Sequence, residues 1–415
     1  MPARRLAARW LLPMDGPAVE RGAVLIDGSG RIVAVGPDAE VPRPAHARAE
    51  TFDDAVLLPG LINTHTHLEL TGLAEVAEPD FAGWIRGVRA RKAERAPGDY
   101  LAAARAGLGA CHAAGVTTVA DTGDSGAVIE ALAEAGGSGI AYHEVFGPHP
   151  DQAEASFAGL RQRVAELCRF AGGRVRIGVS PHAPYTVSGD LYRRTAGWAR
   201  ESGLPIAVHL AESAAESSLL AEGSGSFASA WAGRGIPLPH PLGLTPVEWL
   251  DRHGVLGSDT LCIHVVRVGE GDIATLAARG CAVAHCPCSN RAHGHGDAPL
   301  AALLDSGIRV GAGTDSVLSV GALDLLAEAR LAAGLARLDA MTALRLCTTD
   351  AARALDLAGE IGSLTVGKWG DCAVIRPAGG ATAAAPAEQA LASAPRDVML
   401  TILGGRDVHR AGGSA

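Results

Sequence analysis

Between residues 57 and 360 short apolar runs alternate with longer, alanine-rich stretches. Leu61–His67, Val116–Asp121, Ile140–Phe146, Val175–Ser180, Ile206–Leu210, Thr260–Val265, Ala282–Cys286 and Val310–Thr314 have the length and unbroken hydrophobicity of buried strands. Between and after them, Tyr100–Ala114, Ala153–Ala171, Ser188–Ser202, Ile273–Arg279 and Ala322–Gly334 read as helices. Eight strands, each followed by helical sequence, predict an α/β fold of the (β/α)8 TIM-barrel kind. A doubly wound open sheet shares the alternation, but no glycine-rich dinucleotide fingerprint follows the early strands.

The two chain ends have a different texture. Gly22–Asp27 and Arg31–Val35 flank Asp27-Gly28-Ser29-Gly30, a hairpin signal, and Gly362–Ile375 returns to strands and turns. Arg376–Pro395 is a Gly/Ala/Pro-rich loop, and Val398–Leu403 with Gly404-Gly405 predicts another hairpin. Both ends are therefore expected to build one small β-sandwich domain, residues 1–56 and 361–415, beside a barrel domain of residues 57–360. The longest loop-like interval, Ser213–Ser258 after the fifth strand, is a candidate lid.

Functional groups of a barrel collect at the carboxyl ends of its strands. Those ends carry His65 and His67 on the first, His182 after the fourth, His209 on the fifth, His264 on the sixth and Asp315 on the eighth. An i, i+2 pair on a strand shares one face, so His65 and His67 project together. Singly, each of these residues reads as a cap or a hydrogen-bonded core residue; jointly they mark one rim. Three imidazoles and a carboxylate can hold a divalent cation and leave a position for water. Glu212, just beyond His209, adds a second carboxylate. Asp315 beside a metal and Glu212 facing a substrate divide the base and acid roles of a hydrolysis, with His264 orienting the nucleophile. The only lysines are Lys92 and Lys368, so no carboxylated lysine can bridge two metals at a middle strand. One divalent ion is expected, with Zn²⁺ favoured over Fe²⁺.

Bulk properties narrow the partners. A net charge of −9 argues against nucleic-acid or anionic-membrane binding and leaves a small molecule as the expected partner. No apolar run approaches the roughly 20 residues that span a bilayer. Eight scattered cysteines without Cys-x-x-Cys fit a reducing compartment, so a cytoplasmic location is expected, and a homodimer is compatible with it. Cys286 and Cys288 read as packing residues.

Pro59-Gly-Leu-Ile-Asn-Thr-His-Thr-His67, Ser180-Pro-His-Ala-Pro-Tyr-Thr186, His209-Leu-Ala-Glu212, Cys286-Pro-Cys-Ser-Asn290, Gly313-Thr-Asp315 and Gly362-Ser-Leu-Thr-Val-Gly-Lys368 together resemble the amidohydrolase superfamily, in its mononuclear deaminase branch. His67-Leu-Glu69, His143-Glu-Val-Phe-Gly147, His209-Leu-Ala-Glu-Ser-x-x-Glu216 and Thr314-Asp-Ser316 are most similar to the aminodeoxyfutalosine deaminases of menaquinone biosynthesis. The pattern departs at Ser319-Val320-Gly321, where the resemblance calls for an asparagine, and at an unfamiliar His-x-His, His293 and His295. The resemblance implies metal ligation by His65, His67, His209 and Asp315, catalysis by Glu212 and His264 with Asp315, and a substrate contact at His182. Glu69, Glu216 and Asn290 are further candidate substrate contacts; as bland alternatives, Glu69 caps a helix and Glu216 is solvent-exposed. His293 and His295 are expected on a loop surface. The implied reaction is hydrolytic deamination of an aminated purine nucleoside of the adenosine or aminodeoxyfutalosine type. Guanine deamination and s-triazine hydrolysis on the same scaffold are the alternatives, and a non-catalytic barrel the remote one.

Overall fold

The computed structural model describes residues 2–78, 80–380 and 385–412; residues 381–384 of the expected loop Arg376–Pro395, and 413–415 of the small domain, lie outside it. Strands β1 (Arg4–Leu11), β2 (Val19–Ile26), β3 (Ile32–Pro37) and β4 (Arg48–Pro59) open a sheet at the amino end. The chain then passes Gly60 into the barrel. A Cβ at Gly60 would stand 2.3 Å from the Thr117 side chain, so the crossing demands glycine.

The barrel strands are β5 (Leu61–Thr66), β6 (Val116–Gly123), β7 (Gly139–Val145), β8 (Val175–Pro181), β9 (Ile206–Leu210), β10 (Thr260–His264), β11 (Ala282–His285) and β12 (Arg309–Ala312). They hydrogen-bond in sequence order, all parallel. The ring closes where the N–H groups of Thr314 and Asp315 donate to the carbonyl of His65, at 3.1 and 3.0 Å. The period of two along each strand sorts the side chains. In β9, Ile206 and Val208 pack outward against helices, while Ala207 joins Ile62, Ala120, Leu261 and Ala284 inside the barrel. The same alternation turns His209 inward, one step nearer the carboxyl end.

Strands β13 (Cys372–Ile375), β14 (Val398–Leu403) and β15 (Arg406–Arg410) rejoin the first sheet in the order β15-β14-β13-β4-β1-β2-β3. The sheet curls until its far sides meet. Ile32 N–H donates to Lys368 O at 2.9 Å, and Gly370 N–H to Gly30 O at 2.8 Å. Leu6, Val24, Ile32, Leu57, Val374 and Ile402 fill the fold of that single sheet.

Two segments differ from expectation. The interval Ser213–Ser258 is largely helical, as Ala214–Glu222, Gly225–Ala232 and Pro246–Arg252. It packs Phe227 and Trp231 beside Tyr185 and gives only Arg234 to the cavity over the barrel mouth, so it does not act as the cover. That place belongs to helix α1 (Phe81–Ala93), whose start is fixed by Asp80 Oδ1 accepting Gly83 N–H at 2.8 Å. Among the described residues no helix is long and apolar enough to cross a membrane.

Candidate active site

The carboxyl ends of β5 and β12 bring ligand atoms of His65, His67 and Asp315 within 4.8 Å of one another, and that of β9 sets His209 beside His67. His67 Nε2 lies 3.3 Å from His209 Nε2 and 3.4 Å from Asp315 Oδ1, and His65 Nε2 lies 3.6 Å from the same oxygen. Donors about 2.0–2.1 Å from a tetrahedral cation stand roughly 3.3–3.4 Å apart. The spacing fits an ion.

The hydrogen bonds aim the lone pairs. His67 Nδ1–H donates to Thr122 O at 2.9 Å and His209 Nδ1–H to His182 O at 3.3 Å, which leaves each Nε2 bare and pointed inward. Both ring nitrogens of His65 are buried without a hydrogen-bond partner, and Nε2 faces Asp315, which leaves it available to a cation. Asp315 is held by Ser289 Oγ at 2.5 Å and by Ser316 N–H at 2.7 Å. Burial pushes His65 down to about 3 and lowers His67 and His209 as well. Burial alone would raise Asp315, but the His65 imidazole beside it and the neighbouring His67 and His264 hold it well below the usual carboxylate range. Neutral imidazoles and an ionised carboxylate are the forms that bind a cation.

Beside this cluster lies a cavity of about 610 Å³, roofed by Phe81, Trp84 and Val88 of α1. Glu212 faces it, its carboxyl raised by burial. Tyr185 OH donates to Glu212 Oε2 at 3.4 Å, while His264 Nε2 lies 3.6 Å from Oε1. His264 donates Nδ1–H to Asn290 Oδ1 at 2.9 Å, which points a bare Nε2 at Glu212. His182 donates Nδ1–H to Thr186 Oγ1 at 2.8 Å and turns Nε2 toward the cavity. The backbone bends sharply to achieve this, with positive φ at Ala211 (51°), His264 (73°) and Asp315 (58°). Such values in non-glycine residues gather at functional sites.

Several expected contacts sit elsewhere. Glu69, Glu216 and Asn290 do not line the cavity: the two carboxylates and the Asn290 amide oxygen are engaged inside the protein. Glu69 binds Lys92 Nζ at 2.6 Å, Glu216 accepts two backbone N–H groups, and Asn290 orients His264. Glu216 is also buried rather than exposed. The loop with His293 and His295 is not on the surface: His293 lines the cavity and His295 is 5% exposed. Glu144, Phe146 and Lys92 line the cavity without having been singled out for it. Glu144 sits at the carboxyl end of β7, so the rim rule applied to that strand finds it.

A model of the amidohydrolase family matches residues 56–408. Aminodeoxyfutalosine deaminase of Deinococcus radiodurans is 35% identical over 332 residues, 76% of this chain and 77% of its own. A 5-methylthioadenosine/S-adenosylhomocysteine deaminase of Symbiobacterium thermophilum is 32% identical over 418 residues, covering 96% and 92%. The crystal structure of an adenosine deaminase from Xanthomonas campestris with bound zinc superposes with a TM-score of 0.82 at 26% identity, covering 97% of this chain and 92% of that one.

Proposed function

The chain belongs to the amidohydrolase family, and on that footing we propose that it hydrolytically deaminates the aminated purine ring of a nucleoside-like substrate, releasing ammonia. The observation that carries this reading is the pairing of a cation-binding cluster with Glu212, a carboxyl raised by burial, on one cavity wall. A carboxyl that burial shifts toward its protonated form is suited to protonate a ring nitrogen.

His65, His67, His209 and Asp315 would hold the ion, in our reading a single Zn²⁺. What it supplies when bound is Lewis acidity, which brings the pKa of water to about 7. Glu212 gives its proton to the ring nitrogen next to the amino-bearing carbon and makes that carbon electrophilic. Asp315 takes a proton from the attacking water and returns it to the departing amine; as the C–N bond breaks, the remaining hydroxyl proton passes to Glu212, which restores the acid and leaves the carbonyl. His264, its Nδ1–H committed to Asn290, offers a lone pair. That suits holding the water's hydrogen better than donating to an oxyanion. His182 and Phe146, rings 5.0 Å apart, form the wall against which the base lies.

Arg86, Arg89 and Arg234 line the outer cavity and favour a substrate with an anionic distal group. Among the substrates in the relatives' names, aminodeoxyfutalosine and S-adenosylhomocysteine carry a carboxylate and methylthioadenosine does not. The test is metal-replete protein assayed with these three and adenosine, following ammonia and the purine amino-group absorbance. Ammonia release from at least one, fastest with a carboxylate-bearing substrate, is expected; no release from any overturns the reading.

A further inference from the structure

The His293-Gly294-His295 turn has no part in the chemistry above, yet it packs against Glu212. We propose that His295 is a positioning residue for Glu212, fixing the rotation of its carboxyl toward the substrate ring. The proposal rests on the reading of Glu212 as the acid.

His295 Nε2 lies 3.3 Å from Glu212 Oε1 at an angle that makes no hydrogen bond, and it has no hydrogen-bond partner among the described residues. Catalytic hydrogen bonds without substrate are often misaligned and tighten when substrate binds. The imidazole is braced on two sides. Phe81 of α1 meets it edge to face with ring centres 4.5 Å apart, and His293 stacks on it at 5.4 Å. Its backbone N–H donates to Asn290 O at 2.8 Å, so the residue that orients His264 also anchors the turn bearing His295.

The neighbours of Glu212 leave this role open. Tyr185 donates to Oε2, and His264 Nε2, at 3.6 Å, stands farther from Oε1 than His295 Nε2 does. His295 is the nearer group able to donate there. With Tyr185 on Oε2 and His295 beside Oε1, the carboxyl is flanked on both oxygens and its plane is set. Without His295 only the 3.4 Å contact of Tyr185 holds the rotation of the carboxyl.

The experiment uses the metal-loaded full chain with the best substrate of the panel above. His295→Phe keeps a ring against Phe81 but has no nitrogen; His295→Gln returns an amide at about the reach of Nε2; His295→Asn is too short. A fall in kcat of about tenfold or more for the Phe variant is expected, with KM within about twofold and one metal per chain, and Gln restores kcat to within about threefold of wild type. Should the Phe variant fail to fold, Gln must exceed Asn by about tenfold. Wild-type kcat in the Phe variant, or equal kcat in Gln and Asn, overturns the role of His295 while leaving the deaminase reading intact. No ammonia from wild type overturns both.

Discussion

Glu216 grips the main chain of Glu212: its two oxygens accept the N–H groups of Ala211 and Glu212, each at 2.8 Å. Ala211 has a φ of 51°, so this strand end stays bent only while something holds it. Glu216→Gln supplies one acceptor and confronts the second N–H with an amide. An unsatisfied buried donor costs about 1–3 kcal/mol. Denaturant melts should show that loss, and kcat should fall because Glu212 no longer meets the substrate at the same angle. An unchanged kcat would detach Glu216 from the site.

The acid and the cation cluster are separable. Glu212 touches none of the four clustered ligands, so Glu212→Gln should retain the full metal content of wild type and lose about 10²–10⁴ in rate. Chelation should do the opposite: it abolishes turnover and also lowers the melting temperature, since an ion bound only by the folded state stabilises it. Restoring Zn²⁺ to one equivalent per chain should recover both in parallel. A Glu212→Gln protein with full turnover would take the proton donor out of the mechanism.

Much of this was legible because strand runs in a barrel admit few alternatives. Ile206–Leu210 is five buried positions long, and period two dictates that His209 points inward. β12 stops at Ala312, short of Thr314, because Thr314 and Asp315 leave the ladder to bond His65 across the closure. The helices of Ser213–Ser258 are short and punctuated by glycine and proline, which hides their periodicity. Their starts are nonetheless marked, Ser213 three residues before Glu216 and Thr245 three before Glu248. Asp80 likewise announces α1. No local signal reveals that α1 crosses the mouth to meet His293 and His295, because those contacts join segments some 210 residues apart. A His-x-His beside glycines therefore reads as surface.

Lys92 pins the roof. From α1 its Nζ reaches Glu69 Oε1 at 2.6 Å and Asp124 Oδ1 at 2.5 Å, just past the ends of β5 and β6. The Glu69 side chain is 1% exposed, so removing its cation strands a buried charge. Breaking such a pair from one side costs about 3–5 kcal/mol. Lys92→Met should lose that much stability and, by loosening α1, raise KM about tenfold or more, while Lys92→Arg recovers part of both. Unchanged KM in the Met variant would mean that α1 is held by its apolar face alone.

Acid should destabilise this protein through imidazoles that take no part in ion binding. Burial pushes His112, His143 and His285 down to about 4 and His182 down to about 3, whereas an unfolded imidazole titrates near 6.5. The folded-state values are depressed, so as pH falls below about 6.5 the unfolded chain takes up protons that the folded chain refuses. The stability these imidazoles contribute is therefore full above about pH 6.5 and lost progressively toward pH 4, each group contributing up to about 1.4 kcal/mol per pH unit. Because burial raises the Glu216 and Glu328 carboxyls to about 8 and they act in the opposite direction, urea melts from pH 8 to pH 4.5 isolate the imidazoles as a difference between wild type and a variant, a plateau above about pH 6.5 and a slope below it. His285 offers the internal control, since both its ring nitrogens are buried without partners. His285→Met removes one titrating group and one unsatisfied ring, so its acid decline should be shallower by one proton while the plateau is held or raised. A variant curve parallel to wild type throughout would show that His285 is not protonated on unfolding in this range, and would shift the acid sensitivity to other groups.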